Sequence, residues 1–355
     1  MNARLKVALL FGGRSGEHEV SLRSAASVAS GLAARYDVLP VLVCKAGGWL
    51  LQEGQAPRSA GGEPVFLAAS PQDGGRLRRL SDARELCRPD VYFPVLHGTY
   101  GEDGTVQGLF ELAGVPYVGA GVAASAAAMD KAIMKSLFAQ AGLPQVEHRV
   151  LTARDAATQA RLVDELGLPL FVKPANLGSS VAVSKVKTRE ALAPALALAF
   201  AYDRKVVAER GHDVREIEVG VLGNDGPQAS LPGEIVPDRE FYDYDSKYAA
   251  DSRTELVIPA RIDAALTAAV QDLGKAAFHA VDAAGYARVD CFLERASGRL
   301  LLNEINTIPG FTSISMFPKL WEASGVSYPD LLARLVTLGI ERHQARARLS
   351  TRYGG

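Results

Sequence analysis

The chain has 355 residues, of which 48% are apolar and 22% charged, with a net charge of −1. This length is typical of two or three globular domains, and the near-zero charge argues against nucleic-acid binding through a basic surface. No apolar run approaches the roughly 18 residues of a membrane span, and the run at 7–11 is too short for a signal-peptide core. Three widely spaced cysteines, Cys44, Cys87 and Cys291, form no paired motif. They favour a reduced, cytoplasmic protein over a disulfide or zinc framework.

The first third of the chain alternates short apolar runs with a helical pattern. Strands are predicted at 6–11, 38–44 and 91–96, and a helix at 20–34. The segment 52–75 is rich in Gly, Pro, Ser and Ala and is predicted to be an irregular insertion or linker. Strands that alternate with helices indicate a parallel sheet with ligand loops at the strand ends.

The middle of the chain is predicted to form a small α+β unit. Its helices are expected at 125–141, 153–166 and 188–201, and its strands at 170–173, 181–186 and 205–209. A glycine–serine loop at 178–180 lies between the first two of these strands. Two strands around a loop of small residues predict a flexible hairpin.

The last third is predicted to contain strands, one long helix and a final hairpin. The strands are expected at 216–222, 228–235, 255–259, 287–293 and 300–306. The helix is expected at 263–284, and the basic tail at 341–355 is predicted to end in a frayed helix.

The final hairpin carries the most informative pattern. Residues two apart in a strand share a face. Two sets therefore share faces: Arg288, Asp290 and Phe292 on one strand, and Leu302, Glu304 and Asn306 on the other. One allowed antiparallel register sets Asp290 opposite Glu304, with Cβ atoms roughly 5 Å apart. Carboxylates at that spacing repel by about 3 kcal/mol at an effective dielectric near 20, and a divalent cation would reverse the sign. Since Mg²⁺ prefers such oxygen ligands, the hairpin fits a magnesium site or, equally, a solvated acidic face.

A second pattern is a lysine that ends the apolar strand 170–173 and precedes a loop of small residues. Backbone N–H groups and hydroxyls in such a loop can wrap phosphate oxygens, while Lys173 supplies a positive charge. The spacing is not that of a P-loop, and most such loops are simple turns.

A third pattern follows the first strand, where Glu17 lies in the loop that opens a helix. The G-x-G-x-x-G spacing is absent, which argues against a nicotinamide dehydrogenase. A carboxylate at this position suits an ammonium group. The alternative is an acid that stabilises the helix N-terminus.

These three patterns occur in the same order in the D-alanine–D-alanine ligases, members of the ATP-grasp superfamily, which this sequence resembles over roughly residues 4–343. The motifs that carry the resemblance are FGGRSGEHEVS (11–21), HG (97–98), GEDG (101–104), MDK (129–131), FVKPAN (171–176), GSS (178–180), REIE (215–218), FYDYDSKY (241–248), RVD (288–290) and NEINTIPGFT (303–312). The segment ISMFPKLW (314–321) is similar to the longer bacterial subtype.

The resemblance implies an α/β and α+β fold in three parts. A parallel-sheet (preATP-grasp) domain at 1–124 would precede a two-part ATP-grasp fold, with a small subdomain at 125–214 and a catalytic domain at 215–355. It implies that ATP phosphorylates one D-alanine and that the amine of a second attacks the acyl phosphate. The products would be D-alanyl-D-alanine for peptidoglycan, ADP and phosphate. The expected cofactors and partners are ATP, two Mg²⁺ (or Mn²⁺), D-alanine and a second copy of the chain, without nucleic acid or membrane.

The resemblance also implies roles for individual residues. The ATP-binding set comprises three phosphate lysines, a ribose carboxylate and the start of the adenine-side segment: Lys131, Lys173, Lys247, Glu216 and Glu209. The metal ligands are Asp290, Glu304 and Asn306. The catalytic set comprises the ammonium-binding Glu17, the oxyanion-stabilising Arg288 and Gly310 N–H, and the loop-joining Ser179 and Tyr248. The remaining substrate contacts are His97 for the first substrate, whose alternative role is packing of its loop, and Ser315 and Met316 for the second carboxylate.

Three positions depart from the family pattern. Ala182 stands where glycine is usual, and His212 and Val214 stand where an apolar residue and a glycine are common. Tyr248 favours an amine nucleophile over D-lactate. The alternatives are a ligase with another second substrate, such as D-lactate or D-serine, and a non-catalytic nucleotide-binding protein.

Overall fold

The computed structural model describes residues 4–153, 155–178, 181–237, 254–312 and 314–350. Its helices are α1 (His18–Leu32), α2 (Thr105–Ala113), α3 (Val122–Met129), α4 (Lys131–Gln140), α5 (Ala156–Leu166), α6 (Leu192–Tyr202), α7 (Ala264–Ala280), α8 (Met316–Ala323) and α9 (Tyr328–Ala347). Its strands are β1 (Lys6–Gly12), β2 (Asp37–Val43), β3 (Trp49–Leu51), β4 (Glu63–Leu67), β5 (Leu77–Arg79), β6 (Glu85–Cys87), β7 (Val91–Val95), β8 (His148–Thr152), β9 (Leu170–Pro174), β10 (Ser184–Val186), β11 (Lys205–Arg210), β12 (Val214–Gly223), β13 (Gln228–Ala229), β14 (Gly233–Val236), β15 (Glu255–Val257), β16 (Gly285–Glu294) and β17 (Leu300–Asn306).

The first sheet has seven strands in the order β6-β5-β4-β3-β2-β1-β7. As expected, β1 is parallel to β2 and to β7. The expectation that 52–75 is irregular is wrong, because β4 lies in this segment and pairs antiparallel with β3 and β5. Val65 and Leu67 of β4 are buried, so their contribution to the core outweighs the turn-forming residues around them.

The helix predicted at 125–141 is two helices, α3 and α4, separated at Asp130. The backbone of Asp130 is extended, with φ −91° and ψ 101°, which ends α3. Its carboxylate accepts hydrogen bonds from the N–H groups of Ala132 and Ile133, at 3.0 and 3.2 Å. This N-cap fixes Lys131 as the first residue of α4.

Two further sheets follow. The four-stranded sheet has the order β10-β9-β11-β8, and β9 pairs antiparallel with β10, which confirms the predicted hairpin. The six-stranded sheet is built on the path β15-β14-β12-β16-β17, with β13 beside β12, and α7 packs against β12 and β16. No helix within the described ranges is long and apolar enough to cross a membrane.

One hydrophobic core joins the beginning and the end of the chain. Val7 of β1 and Phe93 of β7 share this core with Phe311 and with Leu332 and Leu335 of α9. Helix α9 also packs on α1. Since burial of these side chains requires both ends of the chain, the loops of the first sheet are held against the segment that follows β17.

Candidate active site

A cavity of about 580 Å³ is lined by residues of the four-stranded and six-stranded sheets. Seven of the residues singled out from the sequence line it: Lys131, Lys173, Glu209, Glu216, Arg288, Asp290 and Glu304. They come from five strands and the start of α4. The topology therefore brings together side chains that lie up to 173 positions apart in the sequence.

A buried cluster of alternating charges forms one wall. Glu209 lies between two lysines, with Nζ–Oε distances of 2.9 Å to Lys135 and 2.8 Å to Lys173. Burial raises the pKa of Glu209, but the two ammonium groups outweigh it and lower the pKa to about 2. Burial lowers the pKa of Lys135, whose side chain is 0% exposed. Lys173 borders the cavity and carries the charge that can meet an anion.

Lys131, at the start of α4, approaches the cavity from another side. Its Nζ donates a hydrogen bond to the carbonyl of Leu177 at 2.8 Å and lies 3.7 Å from Oε2 of Glu304. It thus connects the small-residue loop after β9 to the acidic end of β17. Lys131 and Lys173 together give the cavity two ammonium groups, which suits a polyphosphate.

Arg288 of β16 is held by two carboxylates. Its Nε and Nη2 donate to the two carboxylate oxygens of Asp290, both at 2.7 Å, and its Nε lies 3.0 Å from Oε2 of Glu218. Burial lowers the pKa of the Arg288 guanidinium, but Asp290 and Glu218 reverse this and raise it well above its usual range. The guanidinium is therefore fixed in position and charged beside the cavity.

Asp290 and Glu304 are opposite each other in the antiparallel ladder of β16 and β17, as the predicted register requires. The next pair is Cys291 with Leu302, so Asn303 is the extra residue of a β-bulge. The expectation that Leu302 shares a face with Glu304 is wrong, because this bulge turns Leu302 into the core. Asn303 instead lines the cavity beside Glu304.

Asn306 lies two residues beyond Glu304 in β17, opposite Arg288. Its Oδ1 accepts a hydrogen bond from the N–H of Ile308 at 3.0 Å. Among the described residues, no three His, Cys, Asp or Glu side chains converge as a preformed metal centre. A cation held by Asp290, Glu304 and Asn306 would take its remaining ligands from a bound phosphate or water, as Mg²⁺ commonly does.

Glu17 lies at the far end of the site, just before α1. A Cβ added at Gly98 or at Gly178 would lie 2.9 or 3.4 Å from Oε2 of Glu17. The side chain of Glu17 makes no helix-capping hydrogen bond in α1. Gly178 lines the cavity, so the Glu17 carboxylate lies next to one residue of the cavity wall, but Glu17 itself does not line the cavity.

His97 is buried and bridges the first sheet to the segment after β17. Its Nε2 lies 3.1 Å from Oγ of Ser24, and its Nδ1 lies 3.0 Å from the carbonyl oxygen of Ile308. Burial lowers the pKa of His97, which favours the neutral ring. Loop packing, the alternative role considered for His97, is what these contacts provide.

Gly310, Ser315 and Met316 lie around the start of α8. A Cβ at Gly310 would come within 2.9 Å of Oγ of Ser315, so only glycine fits there without a shift. Ser315 is the N-cap of α8, and its Oγ accepts the N–H of Thr312 at 3.0 Å. The side chain of Met316 packs with Ile235 in a small apolar cluster, leaving its backbone N–H at the helix N-terminus.

Ser179, Lys247 and Tyr248 lie outside the residues that the structure describes. Three other side chains lie in or near the site and were given no role from the sequence, although two of them belong to the motifs GEDG and REIE: Glu102, Lys135 and Glu218. Lys135 follows Lys131 by one helical turn, a spacing that indicates a shared face. Burial, with the nearby Glu17 charge, raises the pKa of Glu102 to about 8. Nothing in the sequence marks Glu102 as buried.

Comparison with known proteins accounts for nearly the whole chain. Residues 6–120 match the family model "D-ala D-ala ligase N-terminus", and residues 137–337 match "D-ala D-ala ligase C-terminus". A D-alanine–D-alanine ligase from Heliobacterium modesticaldum is 52% identical over 360 residues, which cover 97% of each chain.

Solved structures agree with the sequence comparison. The D-alanine–D-alanine ligase from Coxiella burnetii is 38% identical, with a TM-score of 0.86, over 97% of this chain and 96% of that one. The VanG D-Ala:D-Ser ligase from Enterococcus faecalis is 34% identical, with a TM-score of 0.85, over 95% of this chain and 100% of that one. The expected fold, a parallel-containing α/β sheet followed by an ATP-grasp fold, is confirmed. The chain belongs to the D-alanine–D-alanine ligase family.

Proposed function

We propose that this chain is an ATP-dependent ligase that joins two D-alanines for peptidoglycan synthesis, forming a D-alanyl phosphate and releasing ADP and phosphate. The observation that carries the proposal is the single cavity lined by Lys131, Lys173, Arg288, Asp290 and Glu304 in a member of this family. Phosphoryl transfer needs charge and positioning more than covalent chemistry, and these residues supply both.

In this proposal, the nucleotide occupies the cavity between the two sheets. Lys131 and Lys173 contact the phosphates, with Lys247 as a third basic group. Glu216 accepts hydrogen bonds from the ribose, and Glu209 begins the adenine-side segment. The contact of Lys173 with Glu209 supports this assignment, because a phosphate can replace a carboxylate as the partner of one ammonium group while Lys135 still neutralises Glu209.

Asp290, Glu304 and Asn306 would hold two Mg²⁺ or Mn²⁺ ions. The residues fit this role, because all three offer oxygen ligands and Asp290 stands opposite Glu304 in the ladder. When bound, the ions neutralise charge on the phosphate oxygens during transfer. The chain itself contributes the fixed spacing of the ladder, which sets where the ions and the phosphates meet.

The amino-acid substrates would bind beside the cavity, between the loops of the first sheet and the segment that follows β17. Glu17 holds the ammonium group of the first D-alanine, with His97 nearby, while Arg288 and the N–H of Gly310 stabilise the oxyanion. The carboxylate of the second D-alanine binds at the N-terminus of α8, near Ser315 and Met316, where free backbone N–H groups favour an anion. As the family resemblance implies, Ser179 and Tyr248 would join two loops and so exclude water from the acyl phosphate.

The proposal extends to assembly and cellular location. We infer a cytoplasmic homodimer, whose reaction consumes cytoplasmic ATP. Its parts would be an N-terminal domain at 1–124, a small subdomain at 125–214 and a catalytic domain at 215–355. Sedimentation equilibrium of the purified chain tests the dimer, and a monomer at micromolar concentration would contradict it.

The decisive experiment mixes the purified protein with ATP, Mg²⁺ and D-alanine and measures phosphate and dipeptide together. Equal amounts of phosphate and D-alanyl-D-alanine are expected. ATP binding without either product would favour the non-catalytic alternative instead. Because a structural neighbour is a D-Ala:D-Ser ligase, the assay is repeated with equal D-serine or D-lactate as competitor. A mixed product dominating at neutral pH would contradict D-alanine as the second substrate.

A further inference from the structure

The two sheets that enclose the cavity are joined directly by one short stretch of chain, residues 211–213, which we call the connecting loop. It runs from the end of β11 in the four-stranded sheet to the start of β12 in the six-stranded sheet. The whole loop lines the cavity. Its conformation therefore bears on how far apart the two walls of the cavity lie.

Each end of the connecting loop is fastened to a different sheet. The N–H of Gly211 donates to the carbonyl of Pro169, beside β9, at 2.8 Å. At the other end, the N–H of Arg295 donates to the carbonyl of Asp213 at 3.0 Å, and the Arg295 guanidinium lies 3.2 Å from the Asp213 carboxylate. The middle residue, His212, adds a side-chain connection between the two sides. A backbone connection also exists, because the N–H of Leu302 in β17 donates to the carbonyl of Pro144, before β8, at 2.7 Å.

The His212 ring contacts one carboxylate from each sheet. Its Nε2 lies 3.0 Å from Oε2 of Glu147, immediately before β8, and its Nδ1 lies 2.6 Å from Oε1 of Glu294, the last residue of β16. The ring is only 10% exposed. An ionised carboxylate can only accept hydrogen bonds, so both contacts are hydrogen bonds only when both ring nitrogens carry a proton.

The charged groups around His212 leave both of its carboxylate partners ionised. The other charged groups near the ring and its partners are Arg210, Asp213, Arg295 and Arg299. The pKa of Glu147 is lowered by its own backbone N–H and by His212, and the pKa of Glu294 is lowered by Ser297 and by His212. Both carboxylates are therefore ionised at neutral pH, as the two-sided contact requires.

We propose that His212, in its doubly protonated form, is a positioning residue that fastens the two sheets to each other and so sets the affinity of the cavity for nucleotide. The inference rests on the proposed binding of ATP in that cavity. Loss of one proton leaves a ring nitrogen lone pair facing a carboxylate, which breaks one of the two bonds. Nucleotide affinity therefore falls when the ring loses that proton.

The test measures the dissociation constant of ADP with Mg²⁺ by calorimetry from pH 6 to 8.5, at constant ionic strength. The wild type is compared with His212→Leu at the same pH, because this comparison removes the effect of ADP ionisation. At pH 6 the wild type is expected to bind ADP about tenfold more tightly than the variant. This is the effect of one hydrogen bond to a charged group. The difference should shrink toward pH 8.5. His343→Gln, on α9, serves as the matched control and should follow the wild type.

A second variant separates the mechanism from a general packing effect. In Glu294→Gln, the amide can donate to a neutral ring, so both contacts survive loss of the ring proton. This variant should keep the high affinity at pH 8.5 that the wild type loses. Nitrogen-15 spectra of the wild-type imidazole should also show two protonated nitrogens at pH 6.

If His212→Leu binds ADP as the wild type does at every pH, or if the ring is singly protonated at pH 6, the inference is wrong. The inference is also wrong if Glu294→Gln loses its affinity for ADP at pH 8.5 as the wild type does. If the wild type binds no ADP at all, the proposed function fails instead. Unfolding curves of His212→Leu, recorded in parallel, establish that the variant is folded.

Discussion

Arg288 binds both carboxylate oxygens of Asp290, with two N–O distances of 2.7 Å. One partner is the proposed oxyanion-stabilising group and the other is a proposed metal ligand. A cation on Asp290 would compete with the guanidinium for the same oxygens. Glu218, 3.0 Å from Nε, provides a second carboxylate that keeps Arg288 in place when Asp290 changes partner.

Arg288→Ala should abolish most turnover and leave nucleotide binding intact. Loss of one oxyanion donor typically lowers turnover by about 10²–10³. The measurements are dipeptide formation under saturating substrate and the dissociation constant of ADP. Arg288→Lys keeps the charge but not the planar fork, and we expect it to recover little activity. Near-normal turnover of Arg288→Ala would remove this residue from the catalytic set.

Lys135→Met should weaken both the fold and ATP binding. It removes one of the two cations around the buried Glu209 carboxylate. Breaking a buried pair costs about 3–5 kcal/mol, and we expect the lower end because Lys173 remains in contact. Urea unfolding and the KM for ATP are the measurements. The double variant Lys135→Met/Glu209→Gln removes the unbalanced charge and should regain part of the stability; if it is less stable than Lys135→Met, the charge argument is wrong.

Glu102→Gln should stabilise the protein increasingly as the pH rises from 5 to 8. Burial and the Glu17 charge raise the pKa of Glu102 to about 8 from an ordinary value near 4.5. As the pH rises, the Glu102 carboxyl ionises in the unfolded chain near pH 4.5 but in the folded protein only near pH 8. The stabilisation that this group provides is therefore fully present below pH 4.5 and is lost as the pH rises to 8. Each pH unit in that window lowers the free energy of unfolding of the wild type by about 1.4 kcal/mol relative to that of the variant.

The measurement for Glu102→Gln is the unfolding midpoint of both proteins at pH 5, 6, 7 and 8. The amide oxygen can still accept the Gly98 N–H, which donates to Oε2 of Glu102 at 2.6 Å in the wild type. Parallel midpoint curves for the two proteins would mean that Glu102 is ionised in the folded state.

Ala182→Gly should stabilise the loop between β9 and β10. Ala182 has a φ of +56°, in the left-handed region that costs an L-residue about 1–2 kcal/mol. Glycine removes that cost, but it loses more conformational entropy on folding than alanine, which costs about 0.5–1 kcal/mol. The free energy of unfolding is therefore expected to rise by about 0.5–1 kcal/mol. Chemical denaturation measures it, with Ala182→Val as the control that should lower stability. Equal stability of all three would mean that the loop does not hold this conformation in solution.

The sequence predicted the final hairpin well and its bulge not at all. Alternation of polar and apolar residues predicts which side chains share a face, and one of the registers that it allows sets Asp290 opposite Glu304, as observed. The extra residue at Asn303 depends on how β17 packs, and no local pattern marks it. Leu302 was therefore assigned to the wrong face.

Burial of charged side chains was equally beyond the sequence. Lys135 has an ordinary helical spacing, and its burial depends on Glu209, which lies 74 positions away. The helix break at Asp130 does not follow from the sequence pattern, because the apolar periodicity continues through it. The extended backbone of Asp130 ends α3, and its carboxylate bonds to Ala132 and Ile133 begin α4. The assignments of substrate and metal contacts to individual residues remain predictions.

The core that joins both ends of the chain has a consequence for how the protein is made. During synthesis, the first 120 residues leave the ribosome with one face of their sheet lacking the cover that α9 provides. Helix α1 covers part of that face, and the rest stays exposed until residues 328–347 are translated. Domains usually fold as they emerge, in order from the N-terminus. Here the core of the first sheet is completed only when the last helix, α9, has been made. Chains that terminate before α9 should therefore expose apolar surface, aggregate and be degraded quickly.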